Sequence, residues 1–146
     1  SEINKHAVQN KHIIISSTVF PGYISKTARN LIKDCPGSTL SYNPEFIAQG
    51  DIIKGLLHPD IILIGEGSEE AGQIIASIYQ NTCANTPSIE RMSPESAEIA
   101  KLAVNCFITA KIAFANLIGD IADETEGADK NRILNAVGKD GRIGLK

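Results

Sequence analysis

The sequence predicts an α/β protein with a mostly parallel sheet, followed by one very long helix. Three observations carry this expectation. Short, β-branched apolar runs alternate with helical stretches over the first ninety or so residues. No strand signal follows them, and apolar residues then keep helical register from Ile99 to Ile121 without a proline.

The elements follow in order. H-I-I-I-S-S, from His12 to Ser17, is apolar on successive positions, as in a strand buried on both faces of a parallel sheet. Pro21-Gly22 ends it. From Tyr23 to Cys35, Ile24, Ala28, Leu31 and Ile32 stand at helical spacing, and Pro36-Gly37 closes that helix. Thr39 to Tyr42 is extended and runs into Asn43-Pro44. Asp60 to Gly65 is a third strand, after the turn signal His58-Pro59. Glu69 to Gln80 reads as a helix with Ala71, Ile74, Ile75 and Ile78 on one face. Ser93 as N-cap and Pro94 at the first helical position announce the long helix. At roughly 30 residues it far exceeds the usual length of about 11 to 12. Gly127 breaks it, and Asp129 caps a last helix through Ile133, Leu134 and Val137 to Gly138. The expected division is 1–92 and 93–146.

Composition narrows the function classes. The chain has 146 residues, 42% of them hydrophobic and 21% charged, within the range of folded soluble domains. A net charge of -3 with scattered Lys and Arg gives no reason to expect nucleic acid. Cys35, Cys83 and Cys106 lack paired C-x-x-C spacing, so no metal is expected and a reduced, cytoplasmic setting fits. Cys106 reads as a small core residue, and His6, His12 and His58 as structural or solvated. Neither an 18-residue apolar run nor a signal-peptide pattern is read, so no membrane association is expected.

Three places hold residues suited to chemistry. Ser17 and Thr18 follow a predicted parallel strand, at the edge where open α/β sheets bind ligands, although they equally suit the cap of the next helix. Glu45 follows the next strand, where a carboxylate serves either as a general base or as a solvated turn residue. Lys101 and Asn105 share a face of the long helix at i,i+4, a pair able to hold a developing oxyanion. Glu98, three residues before Lys101, offers the alternative of a plain surface ion pair.

In order along the chain these signals resemble the UDP-glucose/GDP-mannose dehydrogenase family. The matching stretches are S-T-V-F-P-G (Ser17 to Gly22), N-P-E-F-I-A-Q-G (Asn43 to Gly50), H-P-D-I-I-L-I-G (His58 to Gly65), A-E-I-A-K-L-A-V-N-C-F (Ala97 to Phe107) and G-A-D-K-N-R-I-L-N-A-V-G-K-D-G-R-I-G (Gly127 to Gly144). The resemblance implies the second half of a Rossmann-like NAD-binding domain, residues 1–92, followed by a helical dimerisation segment, 93–146. It also implies oxidation of the C6 alcohol of a UDP-sugar, UDP-glucose-like, to a uronic acid. Ser17, Thr18, Val19 and Gln49 would approach NAD, with Thr18 also placing a catalytic water. Glu45 would be the acid/base residue, and Glu45, Phe46, Ile47, Ala48 and Gln49 would line the sugar. Lys101 and Asn105 would hold the alkoxide and later oxyanions. Arg142 would bind substrate, in the neighbouring subunit of a homodimer formed through the long helix, 93–125.

Two departures bear on this. Many members carry a carboxylate where this chain has Gln49. The family's covalent mechanism uses a cysteine beyond the R-I-G segment, and G-x-G-x-x-G does not occur in this sequence. The expectation is therefore an internal piece of such an enzyme, inactive alone. The alternatives are a relative of the 6-phosphogluconate and 3-hydroxyacid dehydrogenases, which also place Lys and Asn at i,i+4, or a truncated, non-catalytic dimerisation module.

Overall fold

The computed structural model describes residues 2–6, 9–47 and 50–144. The chain falls into two compact units, 1–102 and 103–146.

The first unit is built on a four-stranded sheet in the order β1 (His12–Ile15), β2 (Thr39–Tyr42), β3 (Ile61–Gly65), β4 (Ser88–Met92). β1 and β2 are parallel with Ile15 opposite Tyr42, and β3 and β4 are parallel with Gly65 opposite Met92. The two pairs join antiparallel at the single register pair Tyr42↔Gly65. Side chains reinforce that junction: Ser41 Oγ accepts from the Gly67 amide at 3.0 Å, and Asn43 Nδ2 donates to the Leu63 carbonyl at 2.9 Å.

β3 is apolar throughout because both of its faces are covered. Leu63 packs with Ile24, Ala28, Leu40, Tyr42 and Ala97, and Ile62 and Ile64 pack with Ile75 and Ala76. β1 differs from the expectation. It lies at the sheet edge, and Ile14 is 41% exposed instead of buried on both faces.

Helices cover the sheet. The predicted Tyr23–Cys35 helix is two pieces, a short α-helix and a 3₁₀ turn, α2 (Tyr23–Lys26) and Ala28–Ile32. Thr27 between them has φ -107°, off the α-helical value, and a β-branched residue resists helix at little cost. Ile24 and Ala28 are still buried, so the apolar spacing is satisfied without a continuous ladder. Three elements were not read from the sequence: α1 (Glu2–Lys5), α3 (Ile52–Leu57) and β4. In β4 only Ile89 and Met92 turn partly inward, so S-I-E-R-M carries no apolar run.

α4 (Glu69–Thr82) is capped by Ser68, whose Oγ accepts from the Ala71 amide at 3.2 Å. Its inner face is Ala71, Gly72, Ile75 and Ala76, while Ile74 and Ile78 are exposed, a rotation from the expected face. Gly72 explains it. A Cβ there would fall on the Glu66 carboxylate, itself ion-paired with Arg91 at 2.7 Å, so only the small side can approach.

The long helix, α5 (Pro94–Asp123), has the 30 residues expected, and Ser93 Oγ accepts from the Ser96 amide at its start. In the second unit α5 continues from Ala103, and α6 (Lys130–Gly138) begins at Asp129, whose Oδ1 accepts from the Asn131 and Arg132 amides. Phe107, Ile108, Ile112, Phe114, Leu117 and Ile121 are all exposed. Cys106, expected in a core, is exposed as well. The helix holds an 18-residue window of mean hydropathy 1.6, so by length and composition it is apolar enough to cross a membrane. Scattered polar residues such as Asn105 and Lys111 interrupt the run while the window's average stays high, so the stretch does not read as a continuous apolar run.

Candidate active site

The loop after β2 is held at its root by Asn43. This buried residue donates its amide to the Ile15 carbonyl at 2.9 Å and its Nδ2 to the Leu63 carbonyl, and its Oδ1 accepts from the Tyr79 hydroxyl at 2.6 Å. Pro44 then fixes φ, so the chain leaves the sheet in one direction. Because β1 and β2 are parallel and in register, Ser17-Thr18 and Asn43-Glu45 depart from the same sheet edge.

Lys101 meets this loop from the long helix. Its Nζ donates to the Glu45 carbonyl at 2.6 Å and lies 4.2 Å from the centre of the Phe46 ring, a cation–π contact. The residue is only 7% exposed. Burial pushes the amine below the ordinary lysine range, and the nearby Glu45 charge opposes that shift without cancelling it. Glu45 itself is exposed. Phe46 and Ile47 are half-buried and, with Pro44 and Tyr79, line a cavity of about 30 Å³ beneath the loop, room for one water and not for a sugar.

The surface ion pair between Lys101 and Glu98 does not form. Glu98 is fully buried, and its carboxylate accepts from the Gly22 amide at 2.5 Å and the Ile24 amide at 2.7 Å. Capping by Ser17 or Thr18 does not occur either, since α2 begins at Tyr23 with Gly22 at its N-cap. Ser17 and Thr18 are exposed beyond β1, and Val19 is half-buried against the core. Beside Val19 lies the buried Tyr42 hydroxyl, outside hydrogen-bond geometry to any described residue; burial pushes this phenol up.

Ala48 and Gln49 lie outside the described residues. Asn105 follows Lys101 by one helical turn, is exposed, and belongs to the second unit. So does Arg142, whose exposed guanidinium makes a bidentate pair with Asp140 at 2.7 and 3.0 Å, raising the guanidinium pKa and lowering that of the carboxyl. The structure thus brings Glu45, Phe46 and Lys101 together and puts the Ser17–Val19 segment on the same edge. Sequence reasoning missed Tyr79; it quoted Asn43 only as part of its motif, and it weighed Glu98 only as a surface ion-pair partner. A separate cleft of about 380 Å³, lined by Ile24, Arg29, Thr39, Glu66 and Glu95 among others, contains none of the candidates. Among the described residues no group of three or more His, Cys, Asp or Glu is placed to hold a metal.

Known proteins share this arrangement of segments. Residues 1–83 match the NAD binding domain of the UDP-glucose/GDP-mannose dehydrogenase family, and residues 95–146 match that family's central domain. GDP-mannose 6-dehydrogenase of Pseudomonas aeruginosa is 32% identical over 139 residues, covering 91% of this chain and 31% of that protein. UDP-glucose 6-dehydrogenase of Rickettsia bellii is 30% identical over 143 residues, covering 98% and 33%. A UDP-glucose dehydrogenase structure from the hyperthermophilic archaeon Pyrobaculum islandicum superposes with a TM-score of 0.86 at 32% identity, over 98% of this chain and 33% of that one. The chain spans about a third of the length of the relatives it matches.

Proposed function

Because this chain belongs to the UDP-glucose/GDP-mannose dehydrogenase family, we propose that its residues serve an NAD-dependent dehydrogenase that oxidises the C6 alcohol of a UDP-sugar to a carboxylate. The observation that carries this reading is the buried Lys101 amine bonded to the backbone of Glu45. An ammonium has three N–H donors. Lys101 keeps one on the Glu45 carbonyl, which fixes its position, and has others to offer a substrate oxygen. In a dry site such a charge stabilises an alkoxide far better than it does in water. The exposed Glu45 carboxylate, on the residue that anchors Lys101, is available to take the hydroxyl proton.

The residues present fit the cofactor. Ser17 and Thr18 put two exposed hydroxyls just past the carboxyl end of β1, the position that holds ligands in open α/β sheets. Bound NAD supplies the hydride acceptor. Ser17, Thr18 and Val19 would hold it; Gln49, outside the described residues, is assigned to NAD on the family resemblance alone. Asn105 is assigned to the substrate oxygen on its i,i+4 spacing from Lys101, and Arg142 to the substrate of a partner subunit. The test is NADH formation by the full-length protein carrying these residues, with UDP-glucose and GDP-mannose compared. NADH with UDP-glucose is the expected result, and its absence with every nucleotide sugar would end this reading.

We further infer a two-fold homodimer through residues 93–125, in a cytoplasmic enzyme of polysaccharide-precursor synthesis. The support is the exposed apolar residues of α5, together with a largely apolar groove of about 410 Å³ in the second unit, lined by Phe107, Phe114, Leu134, Val137 and Ile143 among others.

A further inference from the structure

Among the described residues, the buried charged side chains are Glu98 and Lys101, one helical turn apart on α5. Lys101 is explained by the proposed chemistry. Glu98 is not. A carboxylate taken wholly out of water is strongly unfavourable unless its oxygens are hydrogen-bonded, so its partners indicate what it is there to hold. Those partners are two backbone amides 74 and 76 residues away: Oε2 takes Gly22 N–H and Oε1 takes Ile24 N–H.

These amides belong to the N-cap and the second residue of α2, donors that a helix start leaves without an internal partner. Nothing local satisfies them, because Gly22 has no side chain and adopts a left-handed φ of 83° that favours glycine. The cap is delivered instead by the helix that carries Lys101. Gly22 closes the segment Ser17–Gly22, whose first three residues face the cofactor edge in the proposed reading.

We infer that Glu98 is a positioning residue, tying the Ser17–Gly22 loop to the helical turn that carries Lys101 and so fixing the cofactor edge of the site relative to its proton-handling edge. This rests on the dehydrogenase reading above. The fork is specific to a carboxylate. Glutamine has the same shape but one acceptor oxygen, and its NH₂ would face an amide N–H that already donates.

Glu98→Gln tests it in two ways. In the isolated chain, the Gly22 and Ile24 amides should be protected from hydrogen exchange in the parent and lose protection in the variant, with Glu126→Gln, an exposed carboxylate, as control. In the full-length protein, assayed well below its unfolding temperature, KM for NAD should rise about tenfold, the scale of a lost charge-assisted hydrogen bond. KM for the nucleotide sugar should stay within about twofold, a split that general destabilisation does not produce. An unchanged KM for NAD, equal changes in both constants, or unprotected Gly22 and Ile24 amides in the parent would overturn the inference. If Glu98→Gln does not fold, Glu98→Asp, which keeps the charge but falls a methylene short, is read by the same criteria. A full-length parent that forms no NADH would overturn the dehydrogenase reading and this inference with it. A Glu98 failure alone leaves the parent active.

Discussion

At Lys101 two effects oppose each other. Burial disfavours the ammonium, the Glu45 charge favours it, and burial is the larger. Lys130 is the contrasting case, exposed and with its amine bonded to Asp123 at 2.9 Å, which raises it. Reductive methylation with labelled formaldehyde, followed by NMR, should therefore show Lys101 titrating at lower pH than Lys130. The reverse order would put Lys101 in water. The sign for stability follows. With its folded pKa below its unfolded value, Lys101 holds fewer protons in the folded state across that interval, so stability rises with pH through it and the cost of the buried charge is present below it. In the full-length protein, Lys101→Ala should lower kcat by about 10²-fold with KM little changed, the pattern of a contact made in the transition state; an unchanged kcat would return Lys101 to a structural role. Residue type and position made Glu45 and Lys101 candidates but left open a solvated turn glutamate and a surface lysine; the burial of Lys101 against the Glu45 carbonyl is what the folded chain adds. Glu98 was misread because i,i+3 spacing is a local rule, and its partners lie more than seventy residues away, visible only once the chain is folded.

Among the elements, α5 was the most legible, its cap, start and length all written in the sequence. Its surroundings were not. The same apolar residues that announce a helix leave open what covers them, and within this chain Phe107, Ile108, Ile112, Phe114 and Leu117 remain exposed. Gel filtration with light scattering should give twice the monomer mass, and Ala113→Glu, which puts a charge among these residues, should return the monomer mass. A monomer at high micromolar concentration would sink the pairing, and co-flotation with phospholipid vesicles would point to a membrane instead. β4 and the break at Thr27 show the opposite limit. Each depends on what the sheet accepts: β4 adds a strand with few apolar residues because β3 already supplies a template, and α2 stops because burying Ile24 and Ala28 does not require an unbroken helix.

For the whole molecule, the α/β class and the alternation of strands and helices were legible, but the direction of β3 was not. Apolar runs carry no arrow, and the antiparallel junction depends on the connection through α3. The sequence holds no G-x-G-x-x-G, and of its cysteines Cys35 is buried, Cys83 half-buried and Cys106 exposed on a helix. The 146-residue chain spans about a third of the relatives it matches and is expected to form no NADH by itself with any UDP-sugar; a rate above the blank would show that these residues suffice. The seam between β2 and β3 has a consequence for inheritance. Elsewhere in the sheet cohesion runs through main-chain bonds, which survive almost any replacement except proline. At the seam a single main-chain pair, Tyr42↔Gly65, is supplemented by the Ser41 hydroxyl and the Asn43 side-chain amide, which a single codon change removes. Mutational tolerance in this sheet is therefore uneven: positions 41 and 43 are fragile, Arg91 of β4 is tied to Glu66 and to the Glu69 carbonyl, and the exposed Ser88 and Glu90 tolerate more change.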